Sequence, residues 1–309
     1  MKSLLENFIY GGDYNPEQWL DCPDILDEDL RLMKKAHINC VTLGVFSWSL
    51  LEPKEGQYEF EWLEKIIHRL YENGIFTILA TPSGARPKWL SDKYPEVLRT
   101  REDRTKYLYG GRHNHCFTSP IYREKVGAIN RELAKRFGKN SAVILWHISN
   151  EFGGECHCPL CQNAFQVWLQ NKYKTIDNLN KAWWTTFWSH TYTEFAQVES
   201  PSSIGENSLH GLVLDWKRFT TDQNIDYMKS EIEELRKGGA LQPVTTNFMY
   251  DIPEANYTKM AKELDIISWD TYPTWHKYKE DDMAVALDNS MQHDFMRSLQ
   301  HKPYLMMES

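Results

Sequence analysis

Short apolar runs alternate along this chain with segments in which apolar residues recur every three or four positions. The short runs are typical of buried strands, whereas the longer spacing predicts amphipathic helices. Seven strands are predicted: FIYGG (8–12), NCVTLGVF (39–46), IFTILA (75–80), AVILWHIS (142–149), PVTTNFM (243–249), DIISWD (265–270) and PYLMME (303–308). Because helical segments separate them, we expect the strands to pair in parallel through right-handed crossovers.

The helical segments carry end signals and apolar faces. Pro23 begins a helix with an acidic first turn, Gly74 can supply a left-handed cap, and Ser119-Pro120 is typical of an N-cap followed by proline. The faces predicted to be apolar are Leu26, Leu30 and Met33; Leu63, Ile66, Ile67 and Leu70; Ile129, Leu133 and Phe137; and Leu287, Met291, Phe295 and Leu299. A helical, Trp-rich insertion follows the fourth strand and runs to about Gly239.

Seven strand–helix units indicate an α/β fold, a TIM-type (β/α)8 barrel of which the chain supplies about seven units. A doubly wound open sheet is the alternative, but the first strand-to-helix turn has no glycine-rich phosphate fingerprint. The chain ends one residue after Glu308, which would leave a barrel edge unpaired, so we expect the eighth strand to be absent. We predict one catalytic barrel domain over 1–309, with its helical insertion around 152–239.

Composition and charge exclude some classes of function. The 41% hydrophobic content of the 309 residues fits a globular protein, and the net charge of −8 disfavours nucleic-acid binding. No run of 18 apolar residues is present, so no membrane span is expected, and MKSLLENFIY is not a credible signal peptide. We therefore expect a cytoplasmic protein. The 12 Trp and 16 Tyr suit stacking on sugar rings, although such rings also fill ordinary cores.

Polar residues follow several of the predicted strands, where the loops of a barrel build its functional site. They are Asp13, Ser47, Asn150, Glu151, Asp270, Tyr272 and Glu308. Two carboxylates facing each other suit a glycosidase, retaining at about 5–5.5 Å and inverting at about 6.5–9.5 Å. The alternative for each acid alone is a strand-end cap or an ion-pair partner.

Four cysteines form a second candidate site. Cys156, Cys158 and Cys161 follow the fourth strand, and Cys116 lies in the long loop after the third strand. Four thiolates meeting at one face would make a closed, structural zinc site. Two disulfides, unligated thiols, or His157 or His115 replacing one cysteine are the alternatives. Cys22 and Cys40 lie elsewhere in the sequence and are interpreted as ordinary residues, with Cys40 in the core.

Five motifs resemble glycoside hydrolase family 42 β-galactosidases: YGGDYNPEQW (10–19), FSWSLLEPKEGQYEF (46–60), TPSGARPKWL (81–90), HNHCFTSPIYREK (113–125) and WHISNEFGG (146–154). The similarity spans the whole chain. It implies a retaining β-galactosidase with Glu151 as acid/base and Glu308 as nucleophile. It also agrees with a Cys₄ zinc site, since many members carry this cluster.

The resemblance implies further roles. Asn150 would hydrogen-bond the sugar 2-hydroxyl, and Arg112 in GGRHNHC would help bind the sugar, although such an arginine can also be an ordinary surface residue. Tyr272 in WDTYPTW would donate to the nucleophile, and Asp270 would contact substrate, although the first can be a packed ring and the second a loop cap.

Members of the family continue past the nucleophile with an eighth strand that bears sugar-binding residues and with two further domains, which we do not find in this sequence. Many are trimers, so a homo-oligomer is implied. Two alternative functions remain: an α-L-arabinopyranosidase or other β-glycosidase of the same chemistry, and an inactive carbohydrate-binding fragment.

Overall fold

The strands predicted from apolar runs form a parallel barrel sheet. The computed structural model describes residues 8–249, 252–276 and 281–309. Its strands are β1 Gly11–Tyr14, β2 Cys40–Leu43, β3 Phe76–Ala80, β4 Val143–His147, β5 Val244–Thr245, β6 Asn247–Phe248, β7 Ser268–Asp270 and β8 Leu305–Glu308. β1 to β5 form one parallel sheet, and β6 to β8 form a second.

The predicted fifth strand is divided between the two sheets. β5 pairs with β4, β6 pairs with β7, and Thr246 lies between them. The eight strand segments therefore occupy seven positions around the barrel, as the sequence predicted. β8 contacts β1 at the other junction, but no backbone ladder joins them in the described part of the chain.

Helices cover the outside of the strands. They are α1 Pro23–Lys35, α2 Trp48–Leu51, α3 Glu61–Glu72, α4 Lys88–Lys93, α5 Pro120–Phe137, α6 Pro159–Tyr173, α7 Ile176–Trp183, α8 His210–Lys237, α9 Tyr257–Met260 and α10 Asp282–Ser298. The predicted end signals are present: Ser119 accepts from the backbone N–H of Tyr122, and Gly74 has a φ of 78°. No helix among the described residues is long and apolar enough to cross a bilayer.

The apolar face predicted for the last helix, α10, differs from the structure. Met296 is its buried residue, whereas the exposed fractions of Leu287 and Met291 are 64% and 60%. The helix was predicted correctly, but of its predicted apolar face only Leu299 packs against the core in the described chain, whereas Leu287, Met291 and Phe295 are exposed. The corresponding face of α3, Leu63, Ile66, Ile67 and Leu70, is buried.

Besides a small cluster of strand residues (Cys40, Ile78, Ile144 and Leu145), two larger hydrophobic cores hold the barrel and its insertion. The larger lies between strands and helices and includes Tyr227 and Leu235 from the second half of α8. The smaller is built from α6, α7 and the first half of α8, around Phe165 and Trp216. Because α8 packs along α5, it belongs to the outer ring of barrel helices. The segment predicted as an insertion, 152–239, thus contains one helix of the barrel itself.

Candidate active site

Three carboxyl groups meet where β4, β7 and β8 end. Glu151 follows β4, Asp270 is the last residue of β7, and Glu308 is the last residue of β8. One oxygen from each lies within 4.8 Å of the others. Parallel strands carry their C-terminal ends to one face of a barrel, which is why side chains so distant in sequence converge. The register places Asp270 directly opposite Glu308.

The backbone that presents Glu151 is held in an unusual conformation. Ser149 and Glu151 have φ values of 54° and 43°, in the left-handed region that side chains other than glycine seldom adopt. Two hydrogen bonds fix this turn: the Ser149 N–H donates to Thr81 Oγ1 at 2.6 Å, and the Glu151 N–H donates to Asn247 Oδ1 at 2.7 Å. Such backbone strain persists only where the surroundings hold it, and it is concentrated at functional sites.

The Glu151 carboxyl is buried between a cation and other acids. Arg112 Nη2 lies 2.6 Å from Oε2, and Asn150 Nδ2 donates to the same oxygen at 3.0 Å. Burial raises the pKa of Glu151, the Arg112 guanidinium opposes that rise, and the negative charge of Glu308 adds to it. The net rise in pKa favours the protonated form of Glu151, which is the form a general acid needs.

Glu308 accepts hydrogen bonds on both oxygens. The Tyr272 hydroxyl donates to Oε2, and Asn247 Nδ2 donates to Oε1 at 3.2 Å. Burial and the adjoining Glu308 carboxylate raise the pKa of Tyr272, which therefore stays protonated as a donor. The contact predicted between Tyr272 and the seventh-strand acid is present in the structure.

Asp270 is the most buried of the three acids. Its side chain is 3% exposed, and Asn247 Nδ2 donates to Oδ2 at 2.7 Å. Burial, then the charges of Glu308 and Glu151, raise the pKa of Asp270 to about 9. The protonated form of Asp270, which this shift favours, lessens the repulsion within the cluster.

The structure brings together every acid, amide and tyrosine predicted for this site, including Asp13, and adds two residues that were not predicted, Asn247 and Phe46. Asn247 contacts the cluster from β6, Phe46 lies under the Arg112 guanidinium at 5.6 Å, and Asp13 is close enough for Glu308 to affect it. Protein atoms around Asp13, and then Glu308, raise its pKa to about 6, although the residue keeps solvent contact. Asn247 lies near a strand C-terminal end, as Asp13 does, so the signal that located the predicted residues could also have located it.

The four predicted cysteines also meet. Sulfur atoms of Cys116, Cys156, Cys158 and Cys161 lie within 4.8 Å of one another, and Cys116 Sγ is 3.6 and 3.5 Å from those of Cys158 and Cys161. All six cysteines of the chain are free thiols; Cys40 is buried, as expected, and Cys22 is exposed.

This donor set fits a zinc ion. Four thiolates at about 2.3 Å from one ion in a tetrahedron would lie about 3.8 Å apart, close to the sulfur separations found here. The histidines considered as alternative ligands have other partners. His157 Nδ1 lies 2.8 Å from Ser200 Oγ, and the His115 ring stacks on Tyr122 at 4.3 Å.

A parallel α/β barrel with facing carboxyl groups at the C-terminal ends of its strands defines the class of barrel glycoside hydrolases. Within that class, the family model described as Beta-galactosidase matches residues 13–309. The chain belongs to glycoside hydrolase family 42.

Individual relatives agree with this assignment. β-Galactosidase BglY of Alicyclobacillus acidocaldarius is 57% identical over 305 residues, which are 99% of this chain and 44% of that protein. β-Galactosidase GalA of Bacillus licheniformis is 56% identical over 97% of this chain and 46% of its own length. The crystal structure of a cold-adapted β-galactosidase from Rahnella has a TM-score of 0.97 at 55% identity, covering 99% of this chain and 45% of that one. The chain spans less than half the length of these relatives.

Proposed function

We propose that this chain carries the catalytic centre of a retaining β-galactosidase that removes terminal, non-reducing β-D-galactosyl residues. The observation that carries the proposal is the separation of Glu151 and Glu308, whose oxygens approach within 4.8 Å. Retaining enzymes place their two carboxyl groups about 5–5.5 Å apart, whereas inverting enzymes need about 6.5–9.5 Å for an intervening water.

The reaction proceeds by two displacements at the anomeric carbon. The Glu308 carboxylate attacks that carbon, the bond to the leaving oxygen breaks, and Glu151 gives its proton to that oxygen. Glu151, now ionised, takes a proton from water, whose oxygen attacks the same carbon and releases Glu308 as a carboxylate. Two inversions return the β-configuration.

The neighbouring side chains support these steps. Tyr272 donates to Glu308 and so orients the attacking carboxylate. Asn150, which donates to Glu151, would hydrogen-bond a sugar 2-hydroxyl, and Asp270, beside both catalytic acids, would contact substrate. Arg112 is paired with Glu151 at 2.6 Å, so binding a sugar hydroxyl would require it to exchange that partner. Losing the cation would favour the protonated form of Glu151 that the first step uses.

The cysteine cluster is proposed to hold a structural zinc ion through Cys116, Cys156, Cys158 and Cys161. With four thiolate ligands, zinc has no open position for water, so it would brace the loops and supply no catalytic chemistry. Such thiolates persist in a reducing compartment, which favours the cytoplasm. Family members are commonly trimeric, so we also propose a homo-oligomer.

Two alternatives are tested with the main proposal. An α-L-arabinopyranosidase would use the same carboxyl pair, since its substrate lacks only the hydroxymethyl group of galactose. A carbohydrate-binding fragment would retain sugar affinity without turnover. This second alternative is tested because the chain covers 44% of the length of BglY.

The test compares the purified chain with its Glu308→Gln variant on p-nitrophenyl β-D-galactoside and p-nitrophenyl α-L-arabinopyranoside. We expect the chain to turn over both substrates and to prefer the galactoside. Turnover should be at least about 10³-fold slower in the Glu308→Gln variant. A 2-deoxy-2-fluoro-galactosyl donor should add one sugar mass to the peptide containing Glu308. A folded chain that neither turns over substrate nor accepts this label would contradict the proposal.

A further inference from the structure

Asn247 occupies the junction between the two sheets of the barrel. It is the first residue of β6, immediately beyond the point where pairing changes from β4 to β7. Its side chain is 1% exposed and points into the carboxyl cluster. This position brings one side chain within reach of the strand ends on both sides.

The Asn247 amide contacts four groups of the site. Its Oδ1 accepts from the Glu151 N–H at 2.7 Å. Its Nδ2 donates to Asp270 Oδ2 at 2.7 Å, to Asn150 Oδ1 at 3.1 Å and to Glu308 Oε1 at 3.2 Å. Both proposed catalytic acids and both of their polar neighbours are therefore connected through one residue.

The chemistry of these partners fixes which way the amide faces. The Glu151 N–H can only donate, so it requires the carbonyl oxygen of Asn247. Turning the amide over would place that oxygen against Asp270 and Glu308 and the NH₂ group against another N–H. The NH₂ group consequently faces the carboxyl cluster.

The NH₂ group has fewer hydrogens than acceptors. Two N–H bonds serve three oxygens, so Asp270, Asn150 and Glu308 share them. The 2.7 Å contact with Asp270 is the closest. When Glu308 becomes an ester in the proposed intermediate, it loses its charge and accepts less strongly, which leaves more of the donor to Asp270 and Asn150.

We propose that Asn247 is a positioning residue that sets the mutual placement of Glu151 and Glu308: it anchors the strained backbone of the first and donates to the second. Asp270 is held in the same network as a third, buried carboxyl group. The inference rests on the proposed function for its catalytic consequence, but the network itself can be tested without turnover.

The charged groups around Asn247 determine how its substitution should change the protonation of the carboxyl cluster. Among the described residues, the titratable groups that face Asp270 and its neighbours include Glu151 after β4, Glu308 on β8, Tyr272 after β7, Asp13 on β1, Arg112 in the loop after β3 and His147 on β4, which interacts with Asn150. Most are acidic, so removing a neutral donor leaves their repulsion less compensated. Protonation of the cluster should then occur at higher pH.

Two variants divide the roles of Asn247. Asn247→Asp keeps the shape and the acceptor for the Glu151 N–H but replaces the donor with a carboxylate oxygen. Asn247→Ala removes both. Thr245→Val is the matched control. Thr245 lies on the preceding strand and is as buried as Asn247. The substitution removes hydrogen bonds to Ile266 and Ser268 but no contact with the carboxyl groups.

We expect kcat/KM to fall by about 100-fold or more in both Asn247 variants, with KM changing much less. The acidic limb of the kcat/KM profile should move up by at least about 0.5 pH unit. In Thr245→Val, kcat/KM and the acidic limb of its pH profile should stay near those of the wild type, although thermal stability should fall about as much as in the Asn247 variants. Asn247 variants whose rate and pH profile follow that control would overturn the proposal. If alanine prevents folding, Asn247→Asp decides the outcome, since its volume is unchanged.

A second readout needs no substrate. In the chain labelled with ¹³C at aspartate carboxyls, the Asp270 signal is assigned by its loss in Asp270→Asn, and its midpoint should rise by at least about 0.5 pH unit in Asn247→Ala. An unchanged midpoint would overturn the proposed network. If wild type shows this network but no turnover, the proposed function fails while the placement of Asn247 stands.

Discussion

The carboxyl cluster and the cysteine cluster both draw residues from the same stretch of chain, 146–161, but they are assembled differently. Three of the four cysteines lie within six positions, so local sequence already brings them close. The carboxyl groups come from β7, β8 and the loop after β4, and only the assembled barrel brings them together.

Their energetics differ as well. Buried carboxyl groups that adjoin one another repel and are poorly solvated, which raises the pKa of Asp270 to about 9 and that of Glu151 above its ordinary value. The site therefore lowers stability in return for reactivity. Four thiolates around an ion would instead add to the free energy of unfolding. The comparison predicts that changes in the first cluster alter chemistry and changes in the second alter stability.

The largest effect is expected from Glu151→Gln. Without its proton donor, kcat on a galactoside with a poor leaving group should fall roughly 10³–10⁴-fold, because general acid catalysis contributes about that much. Added azide should restore turnover of an activated aryl galactoside by attacking the intermediate without a base. Thermal stability should be kept, and Glu155→Gln serves as control. Loss of folding together with activity would break the comparison.

Cys116→Ala should have the next largest effect, on stability. Removing one of four ligands should lower the melting temperature by about 10 °C or more, which corresponds to a few kcal/mol in a chain of this size. Chelation should act similarly, while kcat per folded molecule stays within about threefold. Cys22→Ala, at an exposed thiol, should change neither. Instant loss of turnover with the fold intact would show a catalytic metal.

Tyr272→Phe should reduce kcat/KM by about 10- to 100-fold, because Glu308 loses a hydrogen bond that orients it. The melting temperature should change little, since Tyr272 is more than half exposed. Tyr14→Phe removes a similar tyrosine–carboxylate bond, to Asp29, outside the cluster. Equal effects of the two variants on turnover would contradict a specific role for Tyr272.

Asp270→Asn should produce the smallest effect, on the pH dependence of stability. Burial and the charges of Glu308 and Glu151 raise the pKa of Asp270 in the folded chain well above its ordinary value of about 3.9, so the folded state binds a proton more tightly than the unfolded state. Its stabilising contribution is therefore present at low pH and is lost as pH rises toward 9. The fall in melting temperature from pH 5 to pH 9 should be at least about 5 °C smaller in the variant. An unchanged fall would contradict a protonated Asp270.

Prediction from sequence succeeded where one local signal governs the structure. The apolar runs located every strand position, and the signals at Ser119 and Gly74 located two helix ends. The boundaries were less accurate: the first strand begins at Gly11 rather than Phe8, because pairing with β2, which local sequence does not encode, selects the residues that join the sheet. The last helix shows the same limit. Its apolar residues become buried only where another part of the protein packs against them, and its own sequence does not determine that.

The sequence by itself determined the family, the order of strands and helices, and the residue types at the strand ends. These depend on periodicity and motifs that short stretches of chain contain completely. The tertiary structure decided that Asn247 connects the acids, that Arg112 pairs with Glu151 and that burial raises the pKa of Asp270. Such properties depend on distances between residues far apart in sequence and on how far water is excluded from them, and both arise only when the barrel closes.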